Sequence, residues 1–235
     1  MTKLKDVNTT DIRDAIRLGC HTMCNSFNAD DADIPYGAAQ ARPQAEALFD
    51  PGHEAHHPGR HLNALLNAED AAGIEFDEDC IEKHTRAAFF SYSQVALPLE
   101  RIGRYTGGKG IPIELLDHSI REGFHALYAL TKYRGSDRAR ELAEASIQII
   151  FDYWVPNEHW DYERIEKELP VKIERIDETH KFIQRLARAI GPLVKFYRET
   201  GHEPALQLAE VLKEKAIRDC YRDDGAFSTA RFGNH

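Results

Sequence analysis

The residues best suited to chemistry are concentrated between positions 53 and 61, where four of the chain's 12 histidines and one arginine occur. The set is His53, His56, His57, Arg60 and His61. Imidazole is a common metal ligand, but Pro58 and Gly59 interrupt any helix that would align His57 with His61. A guanidinium group binds a carboxylate through two hydrogen bonds, and the helix that follows begins with free backbone N–H groups. The run therefore predicts a pocket for an anion or for sugar hydroxyls, with no metal and no other cofactor.

A second polar group has the spacing i, i+3, i+4 and i+7 and consists of His118, Arg121, Glu122 and His125. This spacing places the four side chains on one face of a helix, opposite its apolar face. Two interpretations stay open: the face is solvated, or it lines a central cavity. In the second case Glu122 is a candidate general acid, because burial raises the pKa of a carboxyl group.

Residues 27–54 are predicted to form a long ordered loop that is rich in proline, glycine and aspartate. Loops of this length in a compact domain are usually functional or disordered. Hydrolysis of a glycosidic bond needs two carboxyl groups, and Asp33 could supply one because it is held beside Ile34-Pro35-Tyr36. The competing interpretation is an acidic surface loop with aspartate-capped turns.

Two Glu-x-x-His pairs, Glu54–His57 and Glu122–His125, also match the motif of di-iron helical bundles. Pro58 follows the first pair directly, and the predicted helices are short for such a bundle. This alternative therefore ranks behind an anion or sugar site.

Helical periodicity of apolar residues dominates the chain, and strand-like alternation is nearly absent. We predict an all-α protein of about seven helices, the first over residues 10–26 and five others marked by apolar stripes. The stripes run over residues 81–99, 116–131, 139–154, 183–197 and 205–216. Gly73, Gly107, Gly135 and Gly201 follow apolar runs, as expected of helix C-terminal caps.

An internal repeat joins two of these caps. The run Leu130-Thr-Lys-Tyr-Arg-Gly135 aligns with Val194-Lys-Phe-Tyr-Arg-Glu-Thr-Gly201, and the two glycines are 66 positions apart. Each copy continues into Ala-x-x-Leu-Ala-Glu, so the unit is a helix, a glycine turn and a second helix. The period exceeds that of common short helical arrays, which predicts hairpins with long loops where a binding site can form.

Composition and charge exclude several classes of protein. The chain has 235 residues and a net charge of -9, which argues against binding to nucleic acid because that needs basic residues. No segment approaches the ~20 apolar residues of a membrane span. The four cysteines form no Cys-x-x-Cys pair and are predicted to be reduced thiols, so a cytoplasmic location is expected.

The run Gly52-His-Glu-Ala-His-His-Pro-Gly-Arg60-His-Leu-Asn-Ala-Leu-Leu66 resembles a segment near the start of the six-hairpin glycosidase superfamily. The runs from Arg121 to Gly135 and from Asp224 to His235 are similar to an inner helix and to a later hairpin start of that superfamily. The resemblance implies a single α/α-toroid domain over residues 1–235, in which helical hairpins surround a central funnel. A full ring has twelve helices, so we expect this chain to be the N-terminal part of a longer protein, cut short at its C-terminus.

The same resemblance implies a glycoside hydrolase whose substrate is an oligosaccharide, with a uronic-acid-containing saccharide as one candidate. Asp33 and Glu122 would be the catalytic carboxylates. Substrate would be held by His53, His57, Arg60, Arg121, His180 and His235. A polysaccharide lyase and a sugar epimerase are lesser alternatives, and a non-catalytic helical-repeat scaffold for a protein partner is the alternative outside enzymology.

Overall fold

The structure is a computed structural model that describes residues 11–41, 47–50, 53–103, 110–175 and 181–227. The predicted His180 and His235 lie outside the described residues. The described part is mostly helical, as predicted, and holds eight helices where about seven were expected. The helices are α1 Ile12–Cys24, α2 His56–Ala72, α3 Glu78–Ser91, α4 Ile120–Arg134, α5 Asp137–Tyr153, α6 Tyr162–Glu168, α7 Ile190–Thr200 and α8 Glu203–Cys220.

Three helical hairpins follow one plan in which a glycine separates the two helices. Gly73, Gly135 and Gly201 end α2, α4 and α7 in the left-handed conformation, with φ of 57°, 59° and 70°. Side chains with a Cβ rarely adopt this conformation, which explains the glycine at each helix end. The repeat seen in the sequence therefore corresponds to repeated structure.

The hairpins pack side by side through their first helices. α4 contacts α2 on one side and α7 on the other, and α5 packs against α8. A continuous apolar core lies between these helices and includes Leu62, Phe124, Ile147 and Leu208. This packing brings the N-terminal ends of α2, α4 and α7 to one region.

Short strands replace several segments that were predicted as loop or helix. They are β1 Phe27–Asn28, β2 Ile34–Pro35, β3 Ala38–Ala41, β4 Ala47–Asp50, β5 Leu99–Glu100, β6 Glu114–Leu115 and β7 Lys172–Ile173. β1 pairs with β2 and β3 with β4, both antiparallel, while β6 pairs antiparallel with β5 and parallel with β7. The predicted loop over residues 27–54 thus contains two hairpins.

Three predicted apolar stripes extend beyond their helices. Helix α3 ends at Ser91, so Leu99 belongs to a strand and not to that helix. His118 lies in a 3-10 turn, Asp117–Ser119, that precedes α4. Residues 182–189 likewise form two 3-10 segments, Phe182–Gln184 and Leu186–Ala189, before α7 begins.

A disulfide between Cys24 and Cys80 joins the end of α1 to the start of α3, with the two Cα atoms 5.1 Å apart. The prediction of reduced thiols is therefore wrong for these two residues. Structural disulfides are typical of oxidising compartments, so cysteine usage no longer supports the expected cytoplasmic location. None of the described helices is both long enough and apolar enough to cross a bilayer.

Candidate functional site

Glu122 is the centre of the candidate site. It is the third residue of α4, and its side chain is fully buried. Three arginines from different elements converge on its Oε1: Arg60 Nε lies 3.2 Å away, Arg121 Nε 2.8 Å and Arg188 Nη2 3.4 Å. Arg60 comes from α2, Arg121 from α4, and Arg188 from the 3-10 segment before α7. The site therefore exists only where the three hairpins meet.

The cluster carries more positive than negative charge. Three guanidinium groups surround one carboxylate, and the side chains of Arg60, Arg121 and Arg188 remain 50%, 26% and 28% exposed. Burial lowers the pKa of Arg188 despite Glu122, and the charges of Arg121 and Arg60 lower it further. The surplus positive charge faces solvent-accessible space, where it can bind an anion.

The net rise in the pKa of Glu122 that was expected from burial is not found. Burial does raise its pKa, but the hydrogen bond from Arg121 and the charges of His56, Arg121 and Arg188 outweigh that effect. The pKa of Glu122 therefore lies below its ordinary value, and the group is a carboxylate at neutral pH. Its carboxylate accepts hydrogen bonds from all three arginines.

Four histidine rings lie next to this cluster. The ring centres of His56 and His118 are 5.3 Å apart, those of His56 and His57 5.4 Å, and those of His53 and His57 5.4 Å. Burial lowers the pKa of His56 to about 4, although the nearby Glu122 opposes this. Its Nδ1 is 3.7 Å from Glu122 Oε2. The histidine therefore adds an uncharged polar surface to the site at neutral pH.

His53 forms a pair with a second buried carboxylate, Glu100. Nδ1 of His53 lies 2.8 Å from Glu100 Oε2, and Ser119 donates a hydrogen bond of 3.1 Å to Glu100 Oε1. Glu100 is fully buried, while the side chain of His53 is 17% exposed. A carboxylate bonded to one ring nitrogen orients the imidazole, an arrangement that His–carboxylate pairs use in proton transfer.

The sequence did not single out Glu100, because the preceding residue, Leu99, was assigned to the end of a helical stripe. One signal was present: Pro98 disfavours the continuation of a helix and implies an extended segment at Leu99 and Glu100. The partner relationship with His53 could not be read from the sequence, since the two residues are 47 positions apart.

Asp33 lies away from the Glu122 cluster. Its Oδ2 is 3.3 Å from Nη2 of Arg86, a residue on the exposed side of α3. Its backbone is in the left-handed region with φ of 58°. Asp31, not Asp33, connects to the interior, through an ion pair of 2.8 Å with Arg101, which also bonds the buried Glu54. The described contacts therefore do not join Asp33 to Glu122 as a catalytic pair.

Unlike Asp33, the other predicted site residues within the described ranges lie close to Glu122. His53, His57, Arg60, Arg121 and Glu122 are brought together at the N-terminal ends of α2 and α4. His57 accepts a 2.8 Å hydrogen bond from the backbone N–H of His53, which fixes its ring. Within the described ranges no three His, Cys, Asp or Glu side chains converge as metal ligands do.

No family model, curated protein sequence or solved structure matches this chain. Function is therefore inferred from the geometry of the arginine cluster and of the His53–Glu100 pair.

Proposed function

We propose that this chain is a carbohydrate-active enzyme whose substrate is an oligosaccharide that contains a uronic acid. The observation that carries the proposal is the convergence of Arg60, Arg121 and Arg188 on a single oxygen of Glu122. Planar guanidinium groups with surplus positive charge match the carboxylate of a uronic acid in both charge and hydrogen-bonding geometry. We further propose that the three hairpins are part of an α/α toroid, with this cluster in its central funnel.

Glycoside hydrolysis is the reaction we favour, in line with the resemblance to six-hairpin glycosidases. Because Glu122 is a carboxylate held by arginines, the proton donor must be a different group. His53, backed by Glu100, is the candidate that combines partial exposure with a charge partner. In this mechanism the arginines position the uronic acid, and His53 transfers the proton at the scissile bond.

One observation favours elimination as a second candidate. Arginines that neutralise the uronate carboxylate make the hydrogen on the adjacent carbon more acidic, and His53 supported by Glu100 could take that proton. The electron pair of the C5–H bond would form a C4–C5 double bond. The C4–O bond would break, and the leaving oxygen would receive a proton from His53, which returns the imidazole to its starting state.

Elimination and hydrolysis change the ultraviolet absorbance of the saccharide in opposite directions. Elimination creates an unsaturated uronide and raises its near-ultraviolet absorbance, whereas hydrolysis of an unsaturated uronide removes that absorbance. We expect loss of absorbance with unsaturated oligouronides and none with neutral saccharides. A gain of absorbance with saturated oligouronides would establish elimination, and no turnover of either substrate would leave the non-catalytic scaffold as the better interpretation.

Two variants test the assigned residues. Arg60→Gln should raise KM for acidic saccharides about tenfold, since charge-assisted hydrogen bonds contribute ~1.5–3 kcal/mol each. Glu100→Gln should lower kcat by ~100-fold or more through the loss of the carboxylate that orients the His53 ring. Arg140→Gln, in a surface pair with Glu144, is the matched control and should leave both constants unchanged.

A further inference from the structure

A cavity of about 330 Å³ lies beside the interface of α4 and α7, outside the Glu122 cluster. Three of its lining residues are cationic and one is acidic. The lining residues are Tyr128, Lys132, Lys195, Arg198 and Glu199. In a chain of net charge -9, such a surplus of cations is a local feature and not a consequence of composition.

Among the residues that line this cavity, Glu199 alone carries a negative charge that offsets the three cations. Lys132, Lys195 and Arg198 are exposed, and no ion pair joins any of them to a described carboxylate. The ammonium groups of the two lysines lie near an aromatic ring. Lys132 Nζ is 5.9 Å from the ring centre of Tyr128, and Lys195 Nζ is 5.6 Å from the same centre. Tyr128 is buried, so its ring is held in place at the base of the cavity and attracts both ammonium groups through cation–π interactions.

The cavity continues the face of α4 that carries the arginine site. Arg121, His125, Tyr128 and Lys132 follow one another at spacings of four, three and four residues, which places them on one helix face. A helix rises ~1.5 Å per residue, so Lys132 lies about 16 Å along α4 from Arg121.

His125 lies on α4 between the arginine cluster and the lysine cavity, and charges from both groups lower its pKa. Burial lowers its pKa to about 4, the charge of Lys195 is the next largest cause, and Arg121 and Arg60 also lower it. Lys195 therefore lies near enough to His125 for the positive potential to extend from one group to the other. No described acidic residue on this face other than Glu122 acts against it at His125.

We propose that the cavity at Tyr128, Lys132, Lys195 and Arg198 is a second anion-binding site, which takes a further acidic group of the same saccharide. This inference rests on the proposed function and makes the substrate more specific. The substrate is a polyanionic chain that lies along α4, with one uronate at the arginine cluster and another acidic group at the lysines. A monosaccharide reaches only the first site. A long oligouronide reaches both and gains affinity from the second contact.

Calorimetric titration of the chain with galacturonic acid and with a long oligogalacturonide tests the inference. We expect the wild-type chain to bind the long probe at least tenfold more tightly than the monosaccharide. Lys132→Gln/Lys195→Gln should remove most of that difference and leave the affinity for the monosaccharide unchanged. Both lysines are exposed, so the double variant should retain the helical circular dichroism of the wild type.

Two control variants separate the possible failures. Lys167→Gln/Lys213→Gln removes the same charge from exposed positions on α6 and α8, and it should preserve the length preference. Arg60→Gln should weaken both probes. If the Lys132/Lys195 variant keeps the wild-type length preference while Arg60→Gln weakens both probes, the second site is wrong and the proposed function stands. If Arg60→Gln changes neither affinity, or if neither probe binds the wild-type chain, the proposed function fails, and the second site for a saccharide fails with it.

Discussion

Gly59 lies directly against the backbone of Glu122, and a Cβ atom added to Gly59 would overlap the Glu122 carbonyl group. The absence of a side chain at this one position lets α2 approach α4 closely. The approach places Arg60, the next residue of α2, within 3.2 Å of the Glu122 carboxylate. A packing constraint and the geometry of the candidate site are therefore the same feature.

Gly59→Ala should destabilise the fold by about 2 kcal/mol or more, because backbone atoms of two helices must separate to admit the methyl group. The free energy of unfolding from urea denaturation measures this. Gly191→Ala is the matched control, since no atom lies within 4 Å of an added Cβ there. Alanine favours a helix over glycine by ~1 kcal/mol, so the control should be neutral or stabilising; equal losses in both variants would contradict the close approach.

Glu122→Gln should lower stability by about 2 kcal/mol or more, and not only activity. Removing the charge leaves three arginines without a carboxylate, and breaking a buried ion pair typically costs ~3–5 kcal/mol. We expect a loss below that range because the arginines are partly exposed. Glu144→Gln, which breaks a surface pair with Arg140, should change stability by less than ~0.5 kcal/mol. Equal stability of the two variants in urea would show that the arginines do not depend on Glu122.

Stability should fall as pH decreases from about 6.5 toward 4. Burial lowers the pKa values of His56, His61 and His125 to about 4 each and that of His84 to about 3. The unfolded chain therefore binds more protons than the folded chain in this window, and the free energy of unfolding rises with pH through it. Each histidine contributes roughly 1–2 kcal/mol of this loss by pH ~5.

Urea denaturation at a series of pH values measures that slope. His61→Asn removes one of these groups and should flatten the slope between pH ~6.5 and ~5. An unchanged slope in the His61 variant would show that this ring does not resist protonation in the folded state.

Reduction of the Cys24–Cys80 disulfide should lower stability by up to about 4 kcal/mol. The bond closes a loop of 56 residues, and loop-closure entropy in the unfolded chain sets this upper limit. Cys24→Ser/Cys80→Ser should unfold at the same urea concentration as the reduced wild type. Reductant should not change the stability of that variant; a further loss would point to a different thiol.

The sequence by itself determined the local structure of this protein. Helical periodicity predicted α4, α5 and α8, and the left-handed glycines at Gly135 and Gly201 confirm the repeat that aligned them. It also singled out His53, His57, Arg60, Arg121 and Glu122, because dense polar residues at helical spacing are visible without a structure. These features depend on residues close in the chain, where spacing fixes geometry.

Tertiary structure alone decided which residues distant in the chain form hydrogen bonds, ring contacts or a disulfide bond with one another. Arg188 meets Glu122 across 66 positions and Glu100 meets His53 across 47, and neither pairing has a local signature. The pKa of Glu122 followed from its neighbours: burial alone would have raised it, but the hydrogen bond from Arg121 and the charges of His56, Arg121 and Arg188 lowered it. Electrostatic free energy depends on distance through space, which the fold sets and the order of residues along the chain does not.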